Sequence, residues 1–306
     1  MKKLRFSVLL APVFLLISCG DGPSTFLYQG RFPITNFPLF VSYSGTPGFT
    51  SGGIKKCERS GVCSNFATSL GAVEGIAIDS FGNVYSVKNY ETTGPSAGTV
   101  YKFSSSGTRD TSFASGITFL KPRVIAVDSF DQVYVSEANS ATAPSEYYIK
   151  RIQGSTATTI ATYTSEVTSF AFGVNDMMVV CFETANRCEF GTGASKKAVS
   201  FGTSSPVGVV VDYNGRIYVT DDPGTATAKI YRFRQEGANS LSEATVIAQN
   251  LDAPKGIAID PAENVLYVKQ PLGLVKQVRY DGFIDTAKEV FASAIDGPIY
   301  LAFQKY

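Results

Sequence analysis

The chain has 306 residues, with 27 Lys and Arg against 26 Asp and Glu, and it contains no histidine. A balanced charge gives no indication of nucleic-acid binding. The absence of histidine excludes Ser/His and Cys/His catalytic pairs, His-ligated zinc and imidazole acid–base catalysis.

Residues 1–18 have the features of an export signal. Lys2, Lys3 and Arg5 precede the apolar run FSVLLAPVFLLI, which is too short to span a bilayer comfortably. The run ends in LISC, which resembles the lipobox of bacterial lipoproteins, and the resemblance implies that Cys19 is lipidated and becomes the mature N-terminus. An ordinary secretory signal with a chance cysteine is the alternative. Cleavage removes three basic residues, which leaves 24 against 26 acidic ones and a net charge near −2.

Residues 19–36 are interpreted as a tether, which contains Gly and Pro and reaches up to roughly 55 Å when extended. Three β-like runs follow, and they are FPLFVSYSG, GGIKKCERSG and VCSNFATS. They resemble the second, third and fourth strands of the repeat that occupies the rest of the chain.

That repeat is built on a hairpin with an apolar run, an aspartate, a turn rich in Gly, Asn or Asp, and a second apolar run carrying tyrosine. Four good copies are VEGIAIDSFGNVYSVKN, PRVIAVDSFDQVYVSEAN, PVGVVVDYNGRIYVTDD and PKGIAIDPAENVLYVKQ, with the aspartates Asp79, Asp128, Asp212 and Asp260. The gap between the second and third copies is nearly double the others. A degenerate copy, VTSFAFGVNDMMVVCFE, fills it and has Gly173 at the aspartate position.

Two more β-like runs follow each of the first five copies, which predicts four strands per unit at a period of about 40 to 50 residues. A final half-copy, GPIYLAF at 297–303, supplies one strand, and the three N-terminal runs supply the other three. We therefore expect an all-β, six-bladed β-propeller of four-stranded blades over residues 37–306. The N-terminal strands close it by pairing with the C-terminal strand, which leaves no exposed sheet edges.

The repeated pattern of Pro, an apolar run with Gly, Ile, Ala and Asp, a Gly/Asn turn and a VYV-type strand resembles NHL-type repeats, which occur in six-bladed β-propellers. In such a ring Cys57 and Cys63 lie on the third and fourth strands of the closing blade, and Cys181 and Cys188 flank a turn of the third blade. These blades are opposite each other, and a disulfide needs Cα atoms within about 7 Å. The expected disulfides are therefore Cys57–Cys63 and Cys181–Cys188. A zinc site of four thiolates is disfavoured by the cysteine spacing.

The recurring aspartates and tyrosines have a structural interpretation. Each aspartate ends an inner strand and opens a tight turn, where its carboxylate accepts hydrogen bonds from backbone N–H groups two residues on. Tyr85, Tyr134, Tyr218 and Tyr267 recur six or seven residues later and are expected to pack between adjacent sheets.

Propellers usually bind ligands on the face built from the loops that join strands two to three and strands four to one. The candidate binding residues in these loops are Lys88, Asn89, Glu137, Asn139, Glu183, Asp221 and Asp222. Further polar residues on this face are Asn186, Lys269 and Gln270 in the loops, and Glu74, Arg123 and Lys255 before the inner strands. Glu137, Asn139, Glu183 and Asp221 are the best oxygen ligands there for a hard cation such as calcium. A merely solvated polar rim is the alternative.

Two propeller enzyme groups bear on function. Gluconolactonase-like propellers hydrolyse lactones around calcium or a related ion held by inner strands, and the inner strands here offer almost no such ligand. Propeller enzymes that depend on histidine are excluded. We expect a monomeric, non-enzymatic binding platform without a catalytic residue or assigned metal site, lipid-anchored in a bacterial cell envelope, at the outer membrane or cell surface. Its partner would be a protein, peptide or glycan, and a calcium-dependent lactonase is the alternative.

Overall fold

The computed structural model describes residues 35–45, 51–88, 98–140, 143–191, 196–202, 205–224, 227–237, 240–251, 253–260, 262, 264–269, 272–279 and 290–305. These residues are almost entirely β-structure, with a 3₁₀ turn at Val174–Asp176. In the described ranges, no helix has the length and apolar character needed to cross a bilayer.

In chain order, the first ten strands are β1 (Thr35–Tyr43), β2 (Gly53–Cys57), β3 (Cys63–Ala67), β4 (Val73–Ile78), β5 (Val84–Lys88), β6 (Thr99–Phe103), β7 (Ile125–Val127), β8 (Val133–Ala138), β9 (Tyr147–Gln153) and β10 (Thr156–Tyr163). The next seven are β11 (Ser169–Phe172), β12 (Met178–Phe182), β13 (Arg187–Phe190), β14 (Lys197–Ser200), β15 (Ser205–Val211), β16 (Arg216–Asp222) and β17 (Ala228–Gly237). The last seven are β18 (Ser240–Leu241), β19 (Thr245–Leu251), β20 (Pro254–Ile259), β21 (Val265–Lys269), β22 (Leu274–Val278), β23 (Val290–Ala292) and β24 (Pro298–Lys305).

These strands form six antiparallel sheets, which are the blades of a propeller. Blades one to five follow chain order and begin with β4, β7, β11, β15 and β20, and the closing blade has the order β24-β1-β2-β3. The fourth blade carries the short β18 as an addition to its four main strands. The six-bladed all-β prediction is confirmed, including the degenerate third copy, whose β11 pairs with β12.

Ring closure follows the predicted pairing between the two ends of the chain. In the closing blade Leu39 of β1 is opposite Phe303 of β24, and Val41 is opposite Leu301. A buried cluster that includes Phe40 and Ile76 then joins the closing blade to the first one. The last interface of the ring is therefore packed like the others.

The core consists of six apolar clusters, each lying between two neighbouring blades. Between the first and second blades, for example, Val87 and Val135 are both fully buried. A blade buries one sheet face against each neighbour, so its strands need apolar side chains on both faces. This explains why the inner hairpins appear as nearly continuous apolar runs in the sequence.

The first blade differs at its outermost position. Its hydrogen-bonded sheet contains β4, β5 and β6, and the run TSFASG at 111–116, which was expected to form the fourth strand, is a turn in the structure. Isolated bridges flank this run and join Gly98 to Phe119 and Phe103 to Arg109. Ala114 has a φ of 56°, which interrupts an extended strand. Phe113 and Phe119 nevertheless pack against the cluster shared with the second blade, so this segment still covers the outer side of the blade.

Both predicted disulfides are present. Cys57 and Cys63 face each other across β2 and β3, and Cys181 and Cys188 face each other across β12 and β13. The Cα atoms are 4.0 Å apart in each pair. Each disulfide therefore joins neighbouring strands of one blade.

The turn role predicted for the aspartates is confirmed. Each carboxylate accepts a hydrogen bond from the backbone N–H two residues on, and the donor–acceptor distances are 3.0 Å for Asp79, 2.9 Å for Asp128, 2.9 Å for Asp212 and 2.8 Å for Asp260. The tyrosines do more than pack. Tyr85, Tyr134 and Tyr218 donate their hydroxyls to the same aspartates at 2.9, 3.0 and 3.3 Å.

These turns also link neighbouring blades. The backbone N–H and hydroxyl of Ser80 donate to the carboxylate of Asp131 at 2.7 and 2.5 Å, which ties the first blade to the second. Ser129 and Asp176 repeat this contact between the second and third blades at 2.9 and 2.7 Å. We call the face with the loops joining strands one to two and three to four the turn face, and the opposite face the rim face.

Candidate functional site

A cluster of charged side chains surrounds Arg123 at the mouth of the central channel on the rim face. The guanidinium of Arg123 lies 3.0 Å from the carboxylate of Glu166, 3.6 Å from that of Glu74 and 3.6 Å from that of Glu183. It also donates a hydrogen bond to the hydroxyl oxygen of Tyr300. We call these five residues the Arg123 cluster.

Tyr300 crosses the channel. It lies on β24 of the closing blade, and its hydroxyl donates to the backbone carbonyl of Thr168 at 2.8 Å. Thr168 directly precedes β11 of the third blade, which is diametrically opposite the closing blade in a ring of six. The hydroxyl of Thr168 in turn donates to the carbonyl of Pro206 in the fourth blade at 3.1 Å. The channel is therefore spanned by side chains at this level.

The inner strands approach each other closely enough for one tyrosine to span the space between them. A Cβ atom on Gly256 would lie 2.6 Å from the Cα of Tyr300, and one on Gly75 would lie 2.8 Å from the carbonyl oxygen of Arg123. Glycine at this point of the inner strand lets neighbouring backbones come into contact. Tyr300 occupies the equivalent position of the closing blade, where its side chain enters the channel.

Burial and charge shape the ionisation of this cluster. Burial raises the pKa of the Tyr300 hydroxyl to about 12, although the positive charge of Arg123 acts in the opposite direction. Burial lowers the pKa of Arg123, but Tyr300 and the three carboxylates outweigh it and leave that pKa above its ordinary value. At neutral pH the cluster therefore contains a neutral tyrosine and a permanent guanidinium cation.

A small pocket of about 60 Å³ opens beside the cluster, between the second and third blades. Its wall includes Lys121, Glu137, Tyr147 and Glu166. The Glu166 side chain is 41% exposed, so its carboxylate is accessible from solvent. The pocket combines an aromatic ring with charges of both signs.

Glu137 and Asn139, two of the predicted binding residues, lie at or beyond this pocket. Glu137 is 5% exposed, forms an ion pair with Lys150 and accepts a hydrogen bond from the N–H of Leu120 at 3.4 Å. The amide of Asn139 donates to the hydroxyl of Ser145 and accepts from its N–H, both at 3.1 Å. Glu137 therefore lines the site, whereas Asn139 organises the loop after β8.

The other predicted residues are distributed around the ring. Asp221 is 1% exposed and accepts a hydrogen bond from the N–H of Lys229. Asp222 pairs with Lys255 at 3.5 Å, and Lys88 lies over Gly71. Glu183 belongs to the Arg123 cluster, so the four suggested calcium ligands have separate partners and do not converge. In the described ranges, no three or more Asp, Glu, Cys or His side chains are grouped so that they could hold a metal ion.

Asn89, Gln270 and the lipidation residue Cys19 lie outside the described residues. Two members of the cluster, Glu166 and Tyr300, were not anticipated from the sequence. Tyr300 had a detectable signal, because GPIYLAF aligns with APKGIAI and places tyrosine where that copy has glycine. Glu166 had none, since it precedes the degenerate third copy in a loop without a repeated pattern.

Comparison with known proteins identifies the fold but does not assign the chain to a family. No family model matches the chain, and no curated protein matches its sequence. A solved nidogen/laminin complex contains a chain that is 11% identical, with a TM-score of 0.63 over 86% of this chain and 96% of that one.

Two solved enzymes share the architecture at similarly low identity. A gluconolactonase from Xanthomonas campestris is 11% identical, with a TM-score of 0.53 over 77% of this chain and 85% of that one. Virginiamycin B lyase from Staphylococcus aureus is 15% identical, with a TM-score of 0.53 over 80% and 83%. At these identities the similarity is one of six-bladed propeller fold.

Proposed function

We propose that this protein is a lipid-anchored propeller of the bacterial cell envelope, built from NHL-type repeats, that binds a protein partner through the Arg123 cluster without catalysing a reaction. The observation that carries the proposal is the size of the pocket beside the cluster, about 60 Å³. Pockets that enclose small-molecule substrates or cofactors are typically about 300 to 1,000 Å³. A pocket of this size accommodates one functional group of a larger partner.

The charges at this site favour a cationic group. The charged side chains at the cluster and pocket are four carboxylates and three cations: Glu74, Glu137, Glu166, Glu183, Lys121, Arg123 and Lys150. Lys150 is already paired with Glu137, and Arg123 is shared by three carboxylates. Glu166 and Glu183 are 41% and 36% exposed, and Glu166 lines the pocket together with Tyr147. A Lys or Arg side chain of a partner would find both carboxylate and aromatic contacts here.

The nidogen/laminin similarity supports a binding role in one respect. A chain of the same architecture occurs there in a complex between proteins. The calcium-dependent lactonase alternative draws support from the gluconolactonase fold match, but its suggested ligands are engaged separately by Lys150, Arg123 and the N–H of Lys229. Calorimetry against calcium tests it directly, and tight binding lost in E137A and E183A would favour the enzyme.

Capture from envelope extracts tests the proposed function. The mature chain beginning at Cys19 is immobilised beside an E166Q/E183Q variant and the control E58Q, which changes an exposed carboxylate on the turn face. We expect a protein retained by the wild type and by E58Q, released by salt, and at least tenfold reduced with E166Q/E183Q. Equal retention by all three chains would contradict binding at the Arg123 cluster.

Lipidation needs its own experiment. Metabolic labelling with a fatty acid should mark the wild type and not C19A. Protease accessibility on intact cells then shows whether the propeller is displayed outward. A wild type without label would remove the anchor from the proposal, and a labelled C19A variant would contradict Cys19 as the lipidated residue.

A further inference from the structure

The most exposed large apolar side chains of the described residues lie on the turn face. Phe81, Phe130 and Val62 are 77%, 76% and 69% exposed. They belong to turns of the first, second and closing blades, which are consecutive around the ring. Ser80 donates two hydrogen bonds to Asp131, so the turns that carry the two phenylalanines are held side by side.

The fold does not require phenylalanine at these turns. The backbone N–H groups of Phe81 and Phe130 donate to the turn aspartates, while their rings remain in solvent. In the fourth blade the backbone N–H of Asn214 makes the same bond from the equivalent position. Because their turns are hydrogen-bonded to each other, the two exposed phenylalanines are not scattered single residues, and apolar groups brought together in this way without a role in the fold indicate an interaction surface.

The first described strand, β1, begins on the same face. Each inner strand runs from the rim face to a turn between strands one and two, so the C-terminal end of β24 lies on the turn face. Thr35, the first residue of β1, is paired with Lys305 at that end. Thr35, which the preceding segment connects to Cys19 in the sequence, therefore lies on the turn face of the closing blade, which also carries Val62.

We propose that the turn face docks onto the surface of the lipid bilayer that holds Cys19, with Phe81, Phe130 and Val62 in contact with the headgroup and acyl boundary. This inference rests on the proposed lipid anchor. Aromatic rings favour that interfacial region, and a tether this short keeps the propeller at an effective concentration of about 1 mM or more at the surface. Weak apolar contacts are then sufficient to hold the turn face against the bilayer. In this orientation the Arg123 cluster, on the opposite face, points away from the membrane.

Tryptophan scanning tests this orientation, because the chain contains no tryptophan. In the mature chain Cys19 is the free thiol, since the other four cysteines form the two disulfides. It can therefore be coupled to a maleimide lipid in vesicles of phosphatidylethanolamine and phosphatidylglycerol. The reporters are F81W and F130W, and the matched control is L272W, which changes a 59% exposed leucine in a loop of the rim face.

On the coupled vesicles, F81W and F130W should show a blue-shifted emission and quenching by brominated acyl chains about twofold or more above that of L272W. Equal quenching of the three variants would overturn the proposal, as would F81W emission identical to that of the uncoupled protein. A blue shift without vesicles that depends on protein concentration would assign the surface to protein contacts and also overturn it. Chemical coupling makes the result independent of whether cells lipidate Cys19, so the two proposals fail separately.

Discussion

Tyr300 determines whether the centre of this propeller is open. In four other blades the equivalent position of the inner strand holds a small residue, which is Gly75, Ser169, Gly208 or Gly256. The second blade has Val124, which packs in the cluster shared with the third blade. In the closing blade, the tyrosine hydroxyl instead reaches across to Thr168. A single residue thus separates a hollow propeller from one whose opposite blades are joined.

Replacing Tyr300 with phenylalanine should therefore reduce stability while leaving the ring intact. Y300F removes the donor to the Thr168 carbonyl and a partner of Arg123, and we expect a loss of about 1 to 2 kcal/mol in the free energy of unfolding. Urea unfolding measures it as a lower midpoint at an unchanged slope. Y147F, a matched change on the pocket wall, should shift the midpoint much less, and equal shifts would contradict the central role of Tyr300.

The same substitution should change the response to alkali. The folded pKa of Tyr300, about 12, lies above the ordinary tyrosine value near 10, so its stabilising effect is complete below pH 10 and is lost as the pH rises to about 12. Across this window the unfolding free energy of the wild type should fall more steeply than that of Y300F. The difference between the two slopes should be about 1.4 kcal/mol per pH unit. Unfolding at several alkaline pH values measures this slope, and parallel curves for the two proteins would contradict it.

The turn tyrosines allow a second test at the scale of single residues. Burial raises the pKa of Tyr85, with Asp79 adding to the effect, and its hydroxyl donates to this 2% exposed carboxylate. Y85F should cost about 1.5 to 3 kcal/mol, because it removes a hydrogen bond to a buried charge. Thermal or urea unfolding measures the loss. Y148F, whose hydroxyl meets the exposed Glu146, is the control and should leave stability nearly unchanged.

Secondary structure and turn chemistry could be read from the sequence because both are local. The Asp-to-Tyr spacing of six residues repeats in three copies, and it predicts a turn with an aromatic residue on the strand that follows. The partners of the carboxylates on the rim face could not be predicted in the same way, because they come from another strand. Glu137 and Asp221 look like free loop carboxylates in the sequence, but Lys150 and the N–H of Lys229 reach them from the next strand of the blade.

At the scale of elements, the blades are joined by specific contacts as well as by apolar packing. Ser80 and Asp131, and then Ser129 and Asp176, tie the first three blades together at the turn face. The sequence could not reveal this link, since each contact joins residues that are about one repeat apart. It depends on the curvature of the ring, which brings equivalent turns of neighbouring blades into contact.

A double-mutant cycle between the first two turns measures this coupling. S80A removes one donor, and D131N removes the charge while keeping a side chain that tolerates the φ of 61° found at Asp131. The two changes should interact by about 0.5 to 1 kcal/mol in unfolding free energy. The control cycle combines S80A with D222N on the rim face and should be additive, so equal interaction energies in both cycles would contradict a specific link.

At the scale of the whole molecule, closure gives each of the two ends of the propeller a partner. The repeat count left one lone strand at the C-terminus and three N-terminal runs without a first strand, and the propeller requires them to pair. The pairing of Thr35 with Lys305 places these ends side by side. The two faces of the ring then have different roles in our proposals, since the Arg123 cluster meets a partner and the turn face meets the membrane.

Closure predicts opposite outcomes for two rearranged chains. A circular permutant that joins Lys305 to Thr35 through a two-residue turn, and opens the chain after the exposed Gly224, keeps all six blades and should unfold cooperatively near the wild-type midpoint. A chain ending at Asp296 lacks β24 and therefore Tyr300. The edge of β1 that pairs with β24 is then exposed, and the apolar clusters with the first and fifth blades lose the side chains of β24. It should fail to give a cooperative transition by circular dichroism and should elute as aggregate. A truncated chain as stable as the permutant would mean that five blades and an open end suffice, and that the pairing of the two ends does not hold the ring together.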